Sequence, residues 1–514
     1  MKRQLLNCVI VTLILLATNF AHSQRYLSEV FTSTIETSNV VYGENYSILT
    51  GSPLLQNLVM DVYEPSGDSL LERPLIVLLH TGEFLPRYIN QLPVGDKTDS
   101  STVEIARRFA RMGYVVAVPD YRKGWNPQGT QDERTQTYIQ AVYRGLQDAK
   151  TCTRWFRMDA DQNNNTYKVN TKKIALGGQG SGGFISLAYS SIDNLAELQL
   201  TKFFNFTTNA FMIDTSIIGD WNGFGGNAAL NISNHVGYSS DVNIVFNIGG
   251  AICDTSWIDA GEVPVISIQG VNDASAPYSY GIMTVPGTTL FITDVSGSSD
   301  VIRINNDFGN NDVFNIPSII DVYTTRANQV NTSLDATYGN DGDEGLMPFT
   351  GIADGNGPWE FWDDATVTTG ATSFGQDPTT ILANGFARNP VYQALGPVAG
   401  KARAMAFTDT IVGYIAPRLY RVLYEQHVGV DELNNDISVS LFPNPSEGEF
   451  TVVTGNNAVI QEIELVDLLG KSYMLVTKLN NTSCSMNIDQ LPSGVYLVNI
   501  ITDVGRIIKQ LVKQ

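Results

Sequence analysis

The sequence predicts an α/β chain, a doubly wound and mostly parallel sheet with long insertions, followed by a small all-β sandwich. Short apolar runs that end in polar residues alternate with stretches of helical periodicity, which is how buried parallel strands and their crossover helices read. One such run closes on a glycine-rich turn, Gly177-Gly178-Gln179-Gly180-Ser181-Gly182-Gly183. Residues 438–514 drop the alternation for short strands separated by turns.

Taken in order, residues 58–63 alternate like a strand at a sheet edge, and residues 74–79 form an apolar run that ends in His80. Residues 102–112 place Val103, Ile105, Ala106, Phe109 and Ala110 on one helical face. Residues 114–118 are a third strand, running into Pro119-Asp120-Tyr121-Arg122, and residues 137–156 repeat the helical pattern at greater length. Ile174-Ala175-Leu176 then leads into the glycine turn. A later strand, from Val263, carries Gln269-Gly270-Val271-Asn272-Asp273 at its end, and residues 409–426 read as a helix that stops before His427.

The glycine turn has the build of a nucleophile elbow. Such a turn passes so sharply from strand to helix that its tip is strained and the residues two before and two after it must be very small. With Gly180 at the tip, Gly178 and Gly182 fill those places; with Ser181 at the tip, Gln179 would strike the crowded turn. The better register therefore holds no serine.

On these motifs, residues 55–280 resemble the α/β-hydrolase superfamily on its carboxylesterase and hormone-sensitive-lipase side. His80-Thr81-Gly82-Glu83-Phe84 stands where that family has a His-Gly-Gly-Gly-Phe oxyanion loop, and Asp120-Tyr121-Arg122 matches its Asp-Tyr-Arg element. The family elbow Gly-Asp-Ser-Ala-Gly-Gly aligns with residues 178–183, so the serine place falls on Gly180. The resemblance implies that Asp273 is the acid, and that His80, Thr81, Gly82 and Glu83 with the backbone of Ser181 form the oxyanion loop. Of the four histidines, only His427 follows Asp273 in the family order of nucleophile, acid, base. A lone histidine near a helix C-terminus also reads as a capping residue.

Two functions follow from different classes. The first is an exported protein of carboxylesterase-like ancestry that lacks the ordinary triad and binds a ligand or acts at the cell surface. The second is a secreted carboxylesterase acting on small esters or acylated polysaccharides, with Ser181, Asp273 and His427 in the three roles.

The ends of the chain describe its route. Met1-Lys2-Arg3, an apolar run from Cys8 to Ala17, and Ala21-His22-Ser23 read as a signal peptide over residues 1–23. No later stretch approaches the about 20 apolar residues that span a bilayer. Residues 431–437 are a polar linker. Beyond it, Leu441-Phe442-Pro443-Asn444-Pro445, Val466-Asp467-Leu468-Leu469-Gly470-Lys471 and Leu491-Pro492-Ser493-Gly494-Val495-Tyr496 closely resemble the C-terminal sorting domain of the type IX secretion system of Bacteroidetes. That resemblance covers residues 438–514 and implies the type IX machinery as partner, with release or surface attachment after export. The formal net charge of −20 argues against nucleic acid and anionic membranes as partners.

Within the main domain, residues 24–430, two segments at about 190–240 and 280–405 are too long for simple loops. In this fold such segments form caps. Trp359 and Trp362 suit stacking on a sugar or aryl ligand, and equally a packed cap core. Asp159, Asp161 and Asn163 alternate like the start of a calcium loop, but Asn170 stands where a bidentate Glu is needed, and a polar helix-to-strand connection explains them as well. No zinc-like Cys/His spacing and no phosphate-binding Gly-Lys-Ser/Thr motif occurs, so no cofactor is implied. Export permits a Cys152–Cys253 disulfide, and buried free thiols are as ordinary.

Overall fold

The computed structural model describes residues 25–315, 318–351, 355–425, 439–455, 458–467, 472–502 and 505–513. The signal-peptide reading over 1–23, the linker 431–437 and His427 lie outside them. The chain divides into two compact units, Met1–Leu423 and Tyr424–Gln514.

The first unit is built on an eight-stranded sheet. Its strands are β1 (Thr34–Ser47), β2 (Leu54–Pro65), β3 (Arg73–Leu79), β4 (Val115–Asp120), β5 (Val169–Gln179), β6 (Ile244–Ile248) and β7 (Val265–Gly270). The hairpin β8 (Tyr280–Thr284) and β9 (Phe291–Ser296) stands apart, and β10 (Leu346–Phe349) completes the sheet in the order β1-β2-β4-β3-β5-β6-β7-β10. From β4 to β10 every pairing is parallel, while β1 and β2 run antiparallel at one edge. The crossovers are α1 (Ser100–Met112), α2 (Gln131–Gln162) and α3 (Ser181–Ser191). Then come α4 (Ser298–Asp307), α5 (Val322–Tyr338), α6 (Asp364–Ser373), α7 (Pro378–Arg388) and α8 (Pro390–Leu423), the last bent at Gly396.

Sequence dictates these elements in simple ways. All seven residues of β3 are buried, as a central parallel strand covered on both faces requires. In α1 the buried positions Thr102, Ile105, Ala106, Phe109 and Met112 follow the helical repeat, and Gly113 ends the helix in the left-handed region at φ 111°. Helix α2 starts at a capping box in which Thr130 and Glu133 satisfy each other's backbone N–H groups. Each fully buried Val, Leu, Ile or Phe of the sheet contributes about 1.5–3 kcal/mol.

The long segments have different fates. Residues 190–240 run along α2 and β1, where Gln147 Nε2 donates to Ile218 O and Asp220 O, Arg154 Nε to Asn234 O, and Asn45 Nδ2 to Asn231 Oδ1. The 280–405 segment supplies α6 and α7 over the carboxyl ends of the strands, and also β10 of the sheet itself. Cys152 and Cys253 are both buried and unpaired, Cys152 Sγ lying 3.6 Å from Met60 Sδ.

The second unit is all-β, with one sheet of β11 (Val439–Phe442), β12 (Glu449–Thr454) and β15 (Ser483–Asn487). The other sheet holds β13 (Ile460–Asp467), β14 (Ser472–Asn481), β16 (Gly494–Thr502) and β17 (Gly505–Lys513). Phe450 and Val452 from the first sheet share a core with Ile463, Leu465, Val498, Ile500 and Leu511 from the second. No helix among the described residues is long and apolar enough to cross a membrane.

Candidate active site

Strand β4 lies on one side of β3 and β5 on the other. The loops leaving β3 and β5 therefore diverge and open a crevice at the carboxyl ends of the strands, where ligands of such sheets bind. Both sequence motifs meet there. Strand β5 ends at Gln179, α3 begins at Ser181, and Gly180 between them has φ 51° and ψ −114°. A Cβ on Gly178 would stand 2.4 Å from the Gly182 carbonyl, and one on Gly182 2.5 Å from Leu79 O. The residues two before and two after Gly180 thus have no room for a side chain. Gly180 itself faces Thr81: a Cβ there would stand 2.3 Å from Thr81 Oγ1. The threonine hydroxyl occupies the space a side chain at the tip would enter.

Ser181 is nearly buried, and its Oγ lies 2.9 Å from Tyr121 Oη. Tyr121 Oη gives its one proton to His80 O at 2.9 Å, so in the second bond Ser181 is the donor. Burial, slightly relieved by the serine, pushes the Tyr121 phenol well above its ordinary value. The serine proton therefore rests on a phenol oxygen rather than on a base.

His80 is fully buried and stacks on Tyr121 with ring centres 4.4 Å apart. Its Nδ1 meets Thr81 O at 2.5 Å and its Nε2 meets Asp120 Oδ1 at 3.0 Å, which engages both nitrogens. Asp120 also receives Lys123 Nζ at 2.5 Å. Burial opposes its charge, but Lys123 and His80 outweigh burial and hold its carboxyl well below the usual range. His235, on the 190–240 segment, bonds Tyr42 O at 2.7 Å. Among the described residues, no histidine hydrogen-bonds to Ser181 or Asp273.

Asp273 sits in the turn after β7, as its motif implies. Its Oδ1 accepts from Ser275 N at 2.8 Å and Ala276 N at 3.1 Å. Burial pushes its carboxyl up to about 7, and these two bonds only partly oppose the shift.

Asp273, Thr81, Gly82, Glu83, Gly180 and Ser181 all border one cavity of about 970 Å³, measured out to its open mouth. Residues of the 356–362 and 385–389 stretches also line it. Gln376 Nε2 donates to Tyr88 O, Asn384 Nδ2 to Gln91 O at 3.0 Å, and Phe374 stacks on Tyr88 at 5.2 Å, tying the end of α6 and α7 to the loop after β3. Glu83, in the left-handed region at φ 60°, forms an ion pair with Arg388. Trp359 and Trp362 line the cavity and are also packed, Trp359 against Phe349 and Trp362 stacked on Tyr392 at 4.3 Å.

Sequence reasoning passed over Glu360 and Arg388. Glu360 stands inside the Trp-Glu-Phe-Trp motif, where the aromatics drew the reading. Burial pushes its carboxyl up to about 8, helped by Asp99, Glu83 and Asp273 and opposed by Arg388. Nothing local marks it, because its neighbours come from segments far apart in the chain.

The calcium candidates are otherwise engaged. Asp159 accepts from Thr166 N at 2.7 Å and Thr166 Oγ1 at 2.8 Å, Asp161 from Tyr238 Oη at 2.7 Å, and Asn163 caps α2. No group of three or more His, Cys, Asp or Glu side chains among the described residues is placed to hold a metal ion.

Comparison with known proteins separates the chain in the same way. Residues 60–283 match the BD-FAE family, and residues 440–514 match the secretion system C-terminal sorting domain. No curated protein matches. Among solved structures, the chain is similar to esterase 2 of Thermogutta terrifontis. With propionate bound, that protein is 16% identical over 67% of this chain and 92% of that one, at a TM-score of 0.32. Phosphorylated by paraoxon, it is 15% identical over 71% and 95%, at 0.33.

Proposed function

We infer that the chain, whose residues 60–283 match the BD-FAE family and whose residues 440–514 match the sorting domain, is an esterase-like α/β-hydrolase domain carried through type IX secretion to the cell surface or beyond. From that premise we propose that it is a binding protein on an esterase frame, holding a small organic ligand in the cavity bordered by Gly180 and Asp273 without acyl-transfer chemistry. One observation carries this reading: Thr81 Oγ1 fills the space above Gly180 that a nucleophile's side chain would need. Acyl transfer through serine needs a hydroxyl that a base deprotonates, and without a working triad only about 10³- to 10⁴-fold catalysis over water remains. Ser181 is a poor substitute, since its hydroxyl donates to Tyr121 and no described histidine reaches it.

The test is hydrolysis of short-chain aryl esters by the full chain, run beside Ser181→Ala and labelling with a fluorophosphonate. Background rates and no labelling are expected. Turnover and labelling that both vanish in Ser181→Ala would replace this reading with an esterase working through that serine.

A further inference from the structure

The charges around the cavity do not balance. Among the described residues that line it, the acids are Glu83, Asp273 and Glu360, and the only base is Arg388. Arg388 is committed to its ion pair with Glu83. Among the described residues Asp273 has two backbone N–H groups on one oxygen and no ion pair, and Glu360 has none either, its nearby Arg388 being paired with Glu83. The surrounding wall is aromatic, built from Trp125, Tyr138, Phe184, Trp359 and Trp362. Trp359 is 2% exposed.

We infer that the cavity takes an organic cation, an ammonium group on a small body. This rests on the binding reading above and names the ligand class for the same site. Aromatic faces attract a cation, most strongly where water is excluded. Once ionised beside the cation, the Asp273 and Glu360 carboxyls, neither in an ion pair among the described residues, supply the charge that holds it in place. An anion would find no free cation among the described residues of the wall, since Arg388 is paired with Glu83, and a bare metal ion would find no clustered ligand set among the described residues.

Titration behaviour agrees. Asp273 and Glu360 are pushed up to about 7 and about 8 because burial penalises their charged forms. Backbone N–H groups of Ser275 and Ala276 face the first, and Asp99, Arg388, Glu83 and Asp273 face the second. A bound cation favours both ions, so binding releases protons and strengthens as pH rises from about 6 to about 9.

The experiment is calorimetric titration of the full chain with choline and with its uncharged isostere, 3,3-dimethylbutan-1-ol. Choline should bind at least about tenfold more tightly, the coupling expected of an opposite charge beside a buried carboxylate. Glu360→Gln and Asp273→Asn should each erase most of that preference while leaving the weak binding of the alcohol in place, which shows that the variants remain folded. Equal affinity for the two probes, or no binding of choline at pH 9, overturns the inference. Ester hydrolysis that depends on Ser181 would instead overturn the non-enzymatic reading, with the charge preference still readable from the same titration.

Discussion

A Gly180→Ser substitution sets a Cβ 2.3 Å from Thr81 Oγ1 and 3.2 Å from Thr81 Cβ, at a backbone position with φ 51° and ψ −114°. Two costs add. A side chain in that sparsely populated backbone region costs about 1–3 kcal/mol. Forcing a β-branched neighbour with one favoured rotamer out of a filled site costs about 1–3 kcal/mol more. The single variant should therefore lose about 2–6 kcal/mol, and adding Thr81→Gly should recover only the second part, since the backbone strain stays. The pair is then coupled by about 1–3 kcal/mol. Urea unfolding followed by tryptophan fluorescence should give midpoints in the order wild type, double variant, Gly180→Ser. The same double variant, with its serine restored and the space cleared, should still resist fluorophosphonate. A Gly180→Ser protein as stable as wild type, or a double variant no better than the single, would refute the claim that Thr81 holds the place above the tip. Labelling of the double variant would reveal a working base and overturn the non-enzymatic reading.

Three other outcomes are expected. Arg122→Ala should cost about 3–5 kcal/mol in urea unfolding, because it leaves the buried Asp148 carboxylate without the guanidinium that pairs with it at 2.8 Å. Ser181→Ala should leave aryl-ester hydrolysis at the wild-type background, and should lower stability by about 0.5–1.5 kcal/mol through the lost bond to Tyr121. Glu360 binds its proton more tightly folded, at about 8, than unfolded at its ordinary 4.5, so its contribution is full below 4.5 and is lost as pH rises through 8. The thermal midpoint of wild type should accordingly fall more steeply across that window than that of Glu360→Gln, and parallel profiles would contradict the assignment.

The sequence reveals this fold where burial is continuous. Strands β3, β4 and β5 read clearly because central parallel strands are apolar on both faces, and the elbow read clearly because close backbone approach excludes all side chains at Gly178 and Gly182. Strand β1 went unread: it is a polar edge strand with two register shifts against β2, so neither alternation nor apolarity persists. Strand β10 went unread too, being four residues long with a proline in the third place. In the site, local motifs single out Asp273, Thr81, Gly82 and Glu83, which border one cavity. The meeting of Thr81 with Gly180, and of Glu360 with Asp99 and Arg388, went unread, because each joins segments that only the folded sheet brings together.

The two buried thiols bear on how such a chain survives export. Burial pushes Cys253 up to about 12 and Cys152 higher still, so at neutral pH fewer than about one Cys253 in ten thousand is a thiolate, the form that attacks a disulfide. Once folded, the main unit is thus closed to oxidants and to disulfide exchange alike, and it needs no cross-link to be corrected on the way out. Its integrity outside the cell rests on packing, hydrogen bonds and ion pairs rather than on a disulfide between these two thiols, and should be indifferent to the redox state of the medium.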